Sequence, residues 1–463
     1  MSATVDSFEA IDPSTREPFR SLPESSAAEV ADAVAGARAA LRRERDWRVP
    51  VARAGALAGI ARAIEKRADE LARLECRDTG KPLTQAQGDV AATVRYFDFY
   101  AGAADKLLGT SIPLGPGFVD YTVREPWGVC GQIIPWNYPM QVLARCAAPA
   151  LAAGNAVVLK PSELGSVTPV LIAQIAREAG LHSGLLEVVT GHAAVGRMLV
   201  DDPGVDFVTF VGSAAVGRSV GRACAERLVP VQLELGGKSP NVVFADADLE
   251  RVVPAVVRSL VQNAGQSCSA GSRLLVDAGR HDELVGLISA AMQALMVGPG
   301  LDDLDLGPLI SEHQLERAEG MLQRAVAAGA EIVVGGGRPR GLEEGWYLEP
   351  TVVSGVRVGL ELFEEEVFGP VLGVTAFEDE NEAVELANAT PYGLVAGVWT
   401  ADVSRAHRVA GQIQAGQVYI NGYGVAGGIE LPFGGMKRSG YGRGKGVEAM
   451  NSYTQIKNVC VVL

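Results

Sequence analysis

Apolar side chains recur every three or four positions along three stretches of the first hundred residues, which is the spacing of amphipathic helices. The pattern predicts helices over residues 26–43, 53–77 and 90–107, with Ser25 or Ser26 as the cap of the first. The third predicted helix has an aromatic face, which we interpret as a packing surface.

From residue 118 onward, short apolar runs alternate with helical periodicity. The predicted strands cover residues 118–124, 129–134, 156–159, 186–189, 207–211 and 229–233, and the helices among them cover 166–179, 194–199 and 214–227. This alternation indicates an α/β fold with a parallel sheet and helices on both of its faces. Ligands of such sheets lie beyond the carboxyl ends of the strands.

A second α/β unit begins near residue 238. Its predicted strands cover residues 241–244, 273–276, 371–377, 395–399 and 417–420, and its helices cover 249–263, 280–296 and 311–328. A glycine-rich loop over 422–446 follows, and the chain ends in an apolar strand within 453–463. A terminal strand of this kind would be an exposed edge unless it pairs, so we expect a subunit contact there.

The composition fits a globular enzyme that acts on a small molecule. The 463 residues correspond to about three domains of roughly 150 residues each, and 48% of them are hydrophobic. The formal net charge of −14 argues against a nucleic-acid partner, because phosphate backbones would be repelled. The most apolar region, 147–159, is far shorter than the roughly 20 residues of a membrane span.

The cysteine and histidine pattern excludes some further classes. Six cysteines and five histidines are scattered without a CxxC pair or a zinc-ligand spacing, so we expect no metal site and no disulfide framework. The first 20 residues contain no apolar core of signal-peptide type. Both observations favour a reducing, cytoplasmic location.

The candidate chemistry centres on residues 262–271, where Cys268 lies in a run of small and amide residues. This run buries little apolar area, but it can hold a thiol in a tight turn with backbone N–H groups directed at a bound oxygen. Upstream, Glu234 ends a strand-like run and Asn137 lies in a rigid Pro-Trp-Asn-Tyr-Pro turn. Taken alone, such a cysteine is more often inert and such a glutamate more often a surface carboxylate. Together the three groups are the parts needed for covalent chemistry on a carbonyl.

Two strand ends carry residues suited to an anionic cofactor. Lys160 and Glu163 follow a buried strand, where they can grip a ribose diol; the alternative is a solvated turn. Gly212 and Ser213 stand between a strand and a helix, where backbone N–H groups and a hydroxyl can bind a diphosphate. Two such ends in one sheet favour a dinucleotide.

These runs resemble, in order, the motifs of the aldehyde dehydrogenase superfamily over nearly the whole chain. The matching motifs are residues 135–137, 234–238, the run around Cys268, 366–370 and 432–435. The branch resembled is the hydrolytic one, which includes betaine-aldehyde and semialdehyde dehydrogenases. The resemblance implies that Cys268 attacks an aldehyde to give a thiohemiacetal and then a thioester. Asn137 would help to hold the oxyanion, and Glu234 would act as general base on the hydrolytic water.

The resemblance also implies a domain organisation. It predicts a Rossmann-type dinucleotide-binding domain (1–108 and 128–236), an α/β catalytic domain (237–450) and a small oligomerisation β-arm (109–127 and 451–463). A homodimer or homotetramer would follow from this arm.

The cofactor implied by the resemblance is NAD. The residues that match the family's cofactor contacts are Ile134, Trp136, Lys160, Glu163, Gly212, Ser213, Gly217, Leu235, Gln314, Glu366 and Phe368. Glu163 would repel a 2′-phosphate, which favours NAD over NADP, although a rotated glutamate together with Lys160 would admit both.

The chain departs from the family at a proton relay. Many relatives carry a lysine and a glutamate at the positions that are Cys146 and Gly444 here. Because both charged residues of the relay are replaced, neither charge is left buried without its partner. Our hypothesis is that Glu234 exchanges its proton through water or backbone groups instead.

The substrate tunnel is expected to contain aromatic walls, small residues near the thiol and one cation. Its predicted residues are Tyr138, Arg145, Ser267, Ser269, Tyr423 and Phe433, with an open mouth at Gly422, Gly424, Gly427 and Gly428. Succinate-semialdehyde dehydrogenases have an arginine at the position of Arg145, where it grips the substrate carboxylate. Their second arginine is Gln262 here. Arg145 either binds an ω-carboxylated or polar-tailed aldehyde or pairs with a protein carboxylate such as Glu430.

Two rival functions are weighed against this one. A CoA-acylating semialdehyde dehydrogenase typically lacks the deacylating glutamate, so Glu234 argues against it. A binding or structural protein reusing the fold would be expected to lose Cys268, Glu234 or Asn137, and all three are present.

Overall fold

The computed structural model describes residues 6–424 and 428–463. The chain begins with a hairpin and four helices: β1 (Ser7–Ile11), β2 (Pro18–Pro23), α1 (Ala27–Arg43), α2 (Pro50–Glu65), α3 (Ala68–Thr79) and α4 (Leu83–Ala103). Ser26 caps α1 in a capping box with Glu29, which confirms one of the two predicted caps.

The single helix predicted over 53–77 is wrong, because the chain leaves helical geometry at Arg67 (φ −113°) and starts a new helix. Arg67 holds this corner by pairing with Glu70 (2.8 Å) and Glu178 (3.6 Å). Neither proline nor glycine marks the break. It arises from contacts with other helices, which periodicity does not reveal.

The first large sheet follows. Its region contains β3 (Ser111–Ile112), β4 (Phe118–Pro126), β5 (Val129–Ile134), α5 (Pro139–Ala153), β6 (Ala156–Pro161), α6 (Val167–Glu178), β7 (Leu186–Val188), α7 (Ala193–Asp201), β8 (Phe207–Val211), α8 (Ala214–Glu226) and β9 (Val231–Glu234). Strands β7, β6, β5, β8 and β9 lie side by side in that order and run parallel, as predicted. The strand order reverses at β5, so a ligand crevice is expected at the carboxyl ends of β5 and β8.

The second large sheet has seven strands. Its region contains β10 (Pro240–Val243), α9 (Leu249–Val261), β11 (Arg273–Asp277), α10 (His281–Gln293), α11 (Glu312–Ala327), β12 (Glu331–Val334), β13 (Thr351–Ser354), α12 (Glu361–Glu364), β14 (Val371–Phe377), α13 (Glu380–Asn388), β15 (Tyr392–Gly393), β16 (Val395–Trp399), α14 (Val403–Gln412) and β17 (Gln417–Ile420). The sheet order is β12-β13-β14-β11-β10-β16-β17, and only β12 runs antiparallel. A hydrophobic core lies on each side of it.

The chain ends with β18 (Met436–Lys437), β19 (Gly440–Tyr441), α15 (Gly446–Ser452) and β20 (Thr454–Val462). Strand β20 pairs antiparallel with β4 along its whole length, from Thr454 opposite Pro126 to Val462 opposite Phe118. The terminal strand therefore pairs within its own chain, and it forms the edge of a three-stranded sheet. The predicted domain boundaries and the subunit contact stay predictions. Across residues 6–424 and 428–463, no helix has both the length and the apolarity required to cross a membrane.

Tyr453 anchors this last segment to the first sheet. Its hydroxyl lies 2.9 Å from Thr209 Oγ1 and accepts a hydrogen bond from Gln132 Nε2 at 3.2 Å. Its ring packs edge-on against Phe207, with centroids 5.3 Å apart. All these groups are buried, so the hydroxyl satisfies polar atoms that water does not reach.

We expect Tyr453→Phe to lower the free energy of unfolding by about 1–3 kcal/mol, because it removes the buried partner of Thr209 Oγ1 and leaves Gln132 Nε2 with the Cys146 carbonyl alone. Urea unfolding at a fixed protein concentration measures this. The matched control is Tyr441→Phe, which removes a hydroxyl from a side chain that is 53% exposed and should change stability by less than about 0.5 kcal/mol. Equal effects of the two variants would contradict the anchoring role.

Candidate active site

The Cys268 turn begins where α9 ends. Asn263 (φ 52°), Ala264 (φ 52°) and Gly265 (φ 74°) adopt left-handed backbone in succession, which stops the helix two residues before its predicted end. A Cβ on Gly265 would collide with the backbone of Gly369, so only glycine fits there. This strained turn reverses the chain and places Cys268 beside Gly237, where a Cβ would strike the Cys268 carbonyl.

Asn137 lies against this turn. Its Nδ2 donates to the carbonyl of Gln266 at 2.9 Å, and Asn263 Nδ2 donates back to the Asn137 carbonyl at 2.9 Å. Gln266 is fully buried and fixes the turn further, because its Oε1 accepts from Ile310 N at 2.9 Å. The predicted thiol and amide are thus held at one place, and Nδ2 keeps a second N–H for another acceptor.

A buried lysine supports Asn137 from behind. Lys81 Nζ donates to the Asn137 carbonyl (2.9 Å) and to Asp89 Oδ2 (2.5 Å), with Glu75 Oε1 at 3.4 Å. It also lies 4.4 Å from the centroid of the Tyr138 ring. Burial opposes its charge, but the two carboxylates outweigh burial and raise the pKa of Lys81. No pattern in the sequence marks this residue beyond its position between Gly80 and Pro82.

The predicted base, Glu234, is 3% exposed at the end of β9. Its Oε1 accepts a hydrogen bond from Gln232 Nε2 at 2.8 Å. Its Oε2 lies 2.6 Å from Nη2 of Arg145, which is itself buried. The two atoms are in ionic contact, but their angles are not those of a hydrogen bond.

Arg145 pairs with a protein carboxylate, as one of the two alternatives predicted, but the suggested partner Glu430 is wrong. Glu430 pairs instead with Arg95, and both side chains are more than half exposed. Arg145 pairs with the candidate base, and its guanidinium lies 5.2 Å from the centroid of Phe433. Burial disfavours its charge, but Glu234 outweighs this and raises the pKa of Arg145. The arginine is therefore cationic inside the site.

A second cation lies beside the pair. Lys445 (φ 61°) places its Nζ 5.2 Å from the Phe433 ring, and burial together with the charge of Arg145 lowers the pKa of Lys445 to about 8. The preceding residue, Gly444, touches the base so closely that a Cβ there would overlap Glu234 Oε1. Position 444 therefore has no room for a side chain while Glu234 is in place.

Burial raises the pKa of the Cys268 thiol to about 11, and the charges of Glu366 and Glu234 act in the same direction. Arg145 and Lys445 oppose these effects because cations stabilise the thiolate. The thiolate is thus a small fraction at neutral pH in the chain without ligands.

The candidate cofactor residues lie at the carboxyl ends of the first sheet. Ile134 and Leu235 are buried there, whereas Trp136 is half-buried and meets the Phe368 ring at 5.3 Å. Lys160 Nζ lies 3.5 Å from Glu163 Oε2. Burial lowers the pKa of Lys160.

The start of α8 fits a diphosphate. Ser213 caps this helix by accepting from Val216 N at 3.3 Å, so its hydroxyl hydrogen stays available. A Cβ on Gly212 would meet the Phe210 ring, and one on Gly217 would meet the Leu235 side chain. Both glycines therefore keep this helix start close to the strand ends.

The loop containing Glu366 and Phe368 (φ 59°) faces the same crevice. Gln314 Nε2 donates to the carbonyls of Val367 (2.9 Å) and Phe368 (2.8 Å), so Gln314 supports this loop. Glu366 Oε1 accepts from Gly237 N at 3.0 Å, and burial raises the pKa of Glu366 to about 7. A carboxylate, a helix start and aromatic rings around one crevice fit a dinucleotide.

A cavity of about 710 Å³ lies where the sequence predicts the mouth of the substrate tunnel. Ser267, Ser269 and Tyr423 line it, and the Tyr423 hydroxyl donates to the Ser269 carbonyl at 2.6 Å. Arg258, which no sequence pattern marks, also lines it one helical turn before Gln262. Of the four predicted mouth glycines, Gly427 lies outside the described residues.

A dinucleotide-type crevice next to a cysteine turn is typical of NAD(P)-dependent oxidoreductases that work through a thiol. The profile of the aldehyde dehydrogenase family matches residues 1–459. The chain therefore belongs to the aldehyde dehydrogenase family, as the sequence motifs predicted.

Similar proteins include named dehydrogenases. A betaine aldehyde dehydrogenase of Cereibacter sphaeroides is 44% identical over 97% of this chain and 93% of its own. Betaine aldehyde dehydrogenase 1 of Rhizobium meliloti is 41% identical over 98% of this chain and 93% of its own. The NAD+ complex of an aldehyde dehydrogenase from Bacillus cereus is 37% identical, with a TM-score of 0.96, and the match covers 99% of this chain and 94% of that one.

We expect Gly444→Ala to slow deacylation by about tenfold or more while the first-turnover burst of NADH is kept. The added methyl group must push Glu234 away from Gln232, and a general base typically contributes 10²–10⁴-fold. Stopped-flow NADH absorbance separates the burst from the steady state. The control is Gly411→Ala, where a Cβ meets nothing within 4 Å. Unchanged steady-state turnover in Gly444→Ala would contradict this geometry.

We expect the alkylation rate of Cys268 by iodoacetamide, without cofactor, to rise about tenfold per pH unit from about pH 6 to pH 8. The reason is that a thiol with a pKa of about 11 gains thiolate in that proportion. Loss of NADH-forming activity reports the reaction, in a Cys460→Ser background because Cys460 is exposed. A plateau below about pH 8 would show that the thiol is more acidic than its burial implies.

Proposed function

We propose that this chain oxidises an ω-carboxylated aldehyde to the corresponding dicarboxylic acid with NAD, through a thioester on Cys268 that water hydrolyses. The observation that carries this proposal is the placement of a buried carboxylate, a side-chain amide and a buried arginine around one cysteine turn.

Acylation begins when the Cys268 thiol loses its proton to solvent and the thiolate sulfur bonds to the aldehyde carbon, while the electron pair of the C=O π bond moves to oxygen. The oxyanion that forms receives hydrogen bonds from the Cys268 backbone N–H and from the second N–H of Asn137 Nδ2. One such donor is typically worth about 3 kcal/mol in the transition state. NAD, when bound, would accept a hydride, and loss of that hydride from the thiohemiacetal carbon would leave a thioester on Cys268.

Deacylation is assigned to Glu234. Its carboxylate takes a proton from water as the water oxygen attacks the thioester carbonyl. The carbon–sulfur bond then breaks, and Cys268 leaves as the thiolate, which makes the thioester a good acyl donor. Both oxygens of Glu234 are engaged, Oε1 by Gln232 and Oε2 by Arg145.

The choice of NAD is supported by the strand-end residues and by relatives solved as NAD+ complexes. Lys160, Glu163 and Ser213 would hold the adenosine ribose and diphosphate, and Glu366 with Phe368 the nicotinamide side. Glu163 at the ribose position favours NAD over NADP because it repels a 2′-phosphate.

The cations of the site support a substrate that carries a negative charge. Nε and Nη2 of Arg145 are buried without a hydrogen-bond partner in the described part of the chain, and they form the edge of a guanidinium that binds a carboxylate in bidentate fashion. Lys445 adds a second positive charge, whereas the mouth is lined by opposite charges, Arg258 and Asp305. Betaine aldehyde, which gives several relatives their name, carries a quaternary ammonium that these cations would repel.

We further propose that the protein forms a homodimer or homotetramer in the cytoplasm. The sheet of β20, β4 and β3 exposes apolar side chains such as Val119, Ile456 and Val462, which supports a homodimer or homotetramer. All six cysteines are free thiols, which supports work in the reducing cytoplasm.

We expect kcat/KM for succinate semialdehyde to exceed that for butanal by about 10- to 100-fold, because hydrogen bonds to a buried charge are worth about 1.5–3 kcal/mol. Arg145→Met should remove the preference. Steady-state assays with NAD and with NADP, without CoA, measure it, and betaine aldehyde should be the poorest substrate.

The matched control is Arg95→Met, which removes an exposed arginine and should keep the ratio. Cys268→Ser should abolish NADH formation. An unchanged ratio in Arg145→Met would remove the carboxylate interpretation. Product that forms only with CoA would favour the acylating rival, and no NADH from any aldehyde would favour a binding protein.

A further inference from the structure

The residue that selects the substrate and the residue that hydrolyses the thioester are in contact with each other. Arg145 Nη2 lies 2.6 Å from Glu234 Oε2, and both side chains are less than one-tenth exposed. Because the oxygen needed by the hydrolytic water faces a cation, Glu234 is not free to act as a base in this state.

The contact is suited to exchange. Its angles are not those of a hydrogen bond, and Nε and Nη2 of Arg145 remain unsatisfied among the described residues. A carboxylate on the Nε–Nη2 edge would replace this ionic contact with two directed hydrogen bonds. Glu234 keeps its bond from Gln232 when this happens.

We propose that Arg145 is a latch on Glu234 that the substrate's own carboxylate opens. The carboxylate of an ω-carboxylated acyl group takes the Nε–Nη2 edge of Arg145, and Glu234 Oε2 turns to the hydrolytic water. An acyl group without a carboxylate leaves the latch closed, so its thioester persists. This inference rests on the proposed function and concerns the deacylation step alone.

The charges around the base agree with this exchange. Arg145 and Lys445 both lie against the Phe433 ring, and Arg145 contacts the carboxylate of Glu234. A substrate carboxylate that takes over Arg145 leaves this buried cation paired when Glu234 is released. The aromatic ring of Phe433, against which both cations lie, gives the acyl chain an apolar wall.

The test measures acylation and deacylation separately. Stopped-flow NADH absorbance gives a burst for acylation and a steady state for deacylation, with succinate semialdehyde and with butanal. We expect the steady-state rate to be about 10²-fold higher for the semialdehyde, within the 10²–10⁴-fold range of general-base catalysis. In Arg145→Met the butanal steady state should rise, because the latch is gone, while Arg95→Met should behave as the parent chain.

A second measurement needs no variant. Acetaldehyde gives an acyl group that carries no carboxylate, so added propionate should open the latch in trans and raise the acetaldehyde steady-state rate in a saturable way. Arg145→Met should lose this activation. Equal deacylation rates for both aldehydes, or no activation by propionate, would overturn the latch even if the burst still favoured the semialdehyde. The absence of any burst would instead refute the proposed function.

Discussion

Two side-chain amides join the two large sheets at the place where the thiol is held. Asn137 follows a strand of the first sheet and donates to the Gln266 carbonyl, while Asn263 follows a helix of the second and donates to the Asn137 carbonyl. All three residues are at least 95% buried, so neither bond can be replaced by water. Leaving such groups unpaired costs about 1–3 kcal/mol each. The contacts that fix the two sheets therefore also fix the amide relative to the cysteine.

The support for Asn137 is itself costly. Lys81, Glu75 and Asp89 form a cluster of ionisable groups at 0–4% exposure, and Thr168 Oγ1 completes it by donating to Glu75 at 2.5 Å. Such clusters seldom add net stability, but breaking one leaves an uncompensated charge. The cluster instead fixes the position of Asn137, because Lys81 uses one of its three N–H donors for the Asn137 carbonyl. A rigid amide loses little free energy by reorganising when an oxyanion forms.

Most strands of the two large sheets could be predicted from the sequence, because buried parallel strands are short apolar runs between glycine turns. Those at 129–134, 207–211, 371–377, 395–399 and 417–420 begin and end where predicted. The predictions of helix boundaries failed where tertiary contacts determine the end of a helix. The corner at Arg67 has no breaker residue, and helix α9 stops early because the Cys268 turn needs three left-handed residues. Strands β12 and β13 and helices α13 and α14 were not predicted, although Asp379 and Asp402 are ordinary helix caps.

The same division holds for the candidate site. Cys268, Glu234 and Asn137 could be named because each is a reactive or amide group in a turn or at a strand end, within a run that resembles a motif of the aldehyde dehydrogenase family. Lys81, Gln266, Arg258 and Lys445 could not, because their importance comes from distant neighbours. Arg145 is the intermediate case. Its need for a carboxylate partner could be predicted, but the partner could not. Glu234 and Glu430 carry the same charge in the sequence, and only the fold decides between them.

Cys146 and Gly444, the two positions of the expected relay, are linked through the base. Position 146 supplies no cation, and the positive charge beside Glu234 comes from the neighbouring Arg145. At position 444, Glu234 occupies the space that a side chain would need. In the mechanism that we propose, substrate recognition and control of the base therefore depend on the same guanidinium and cannot vary independently.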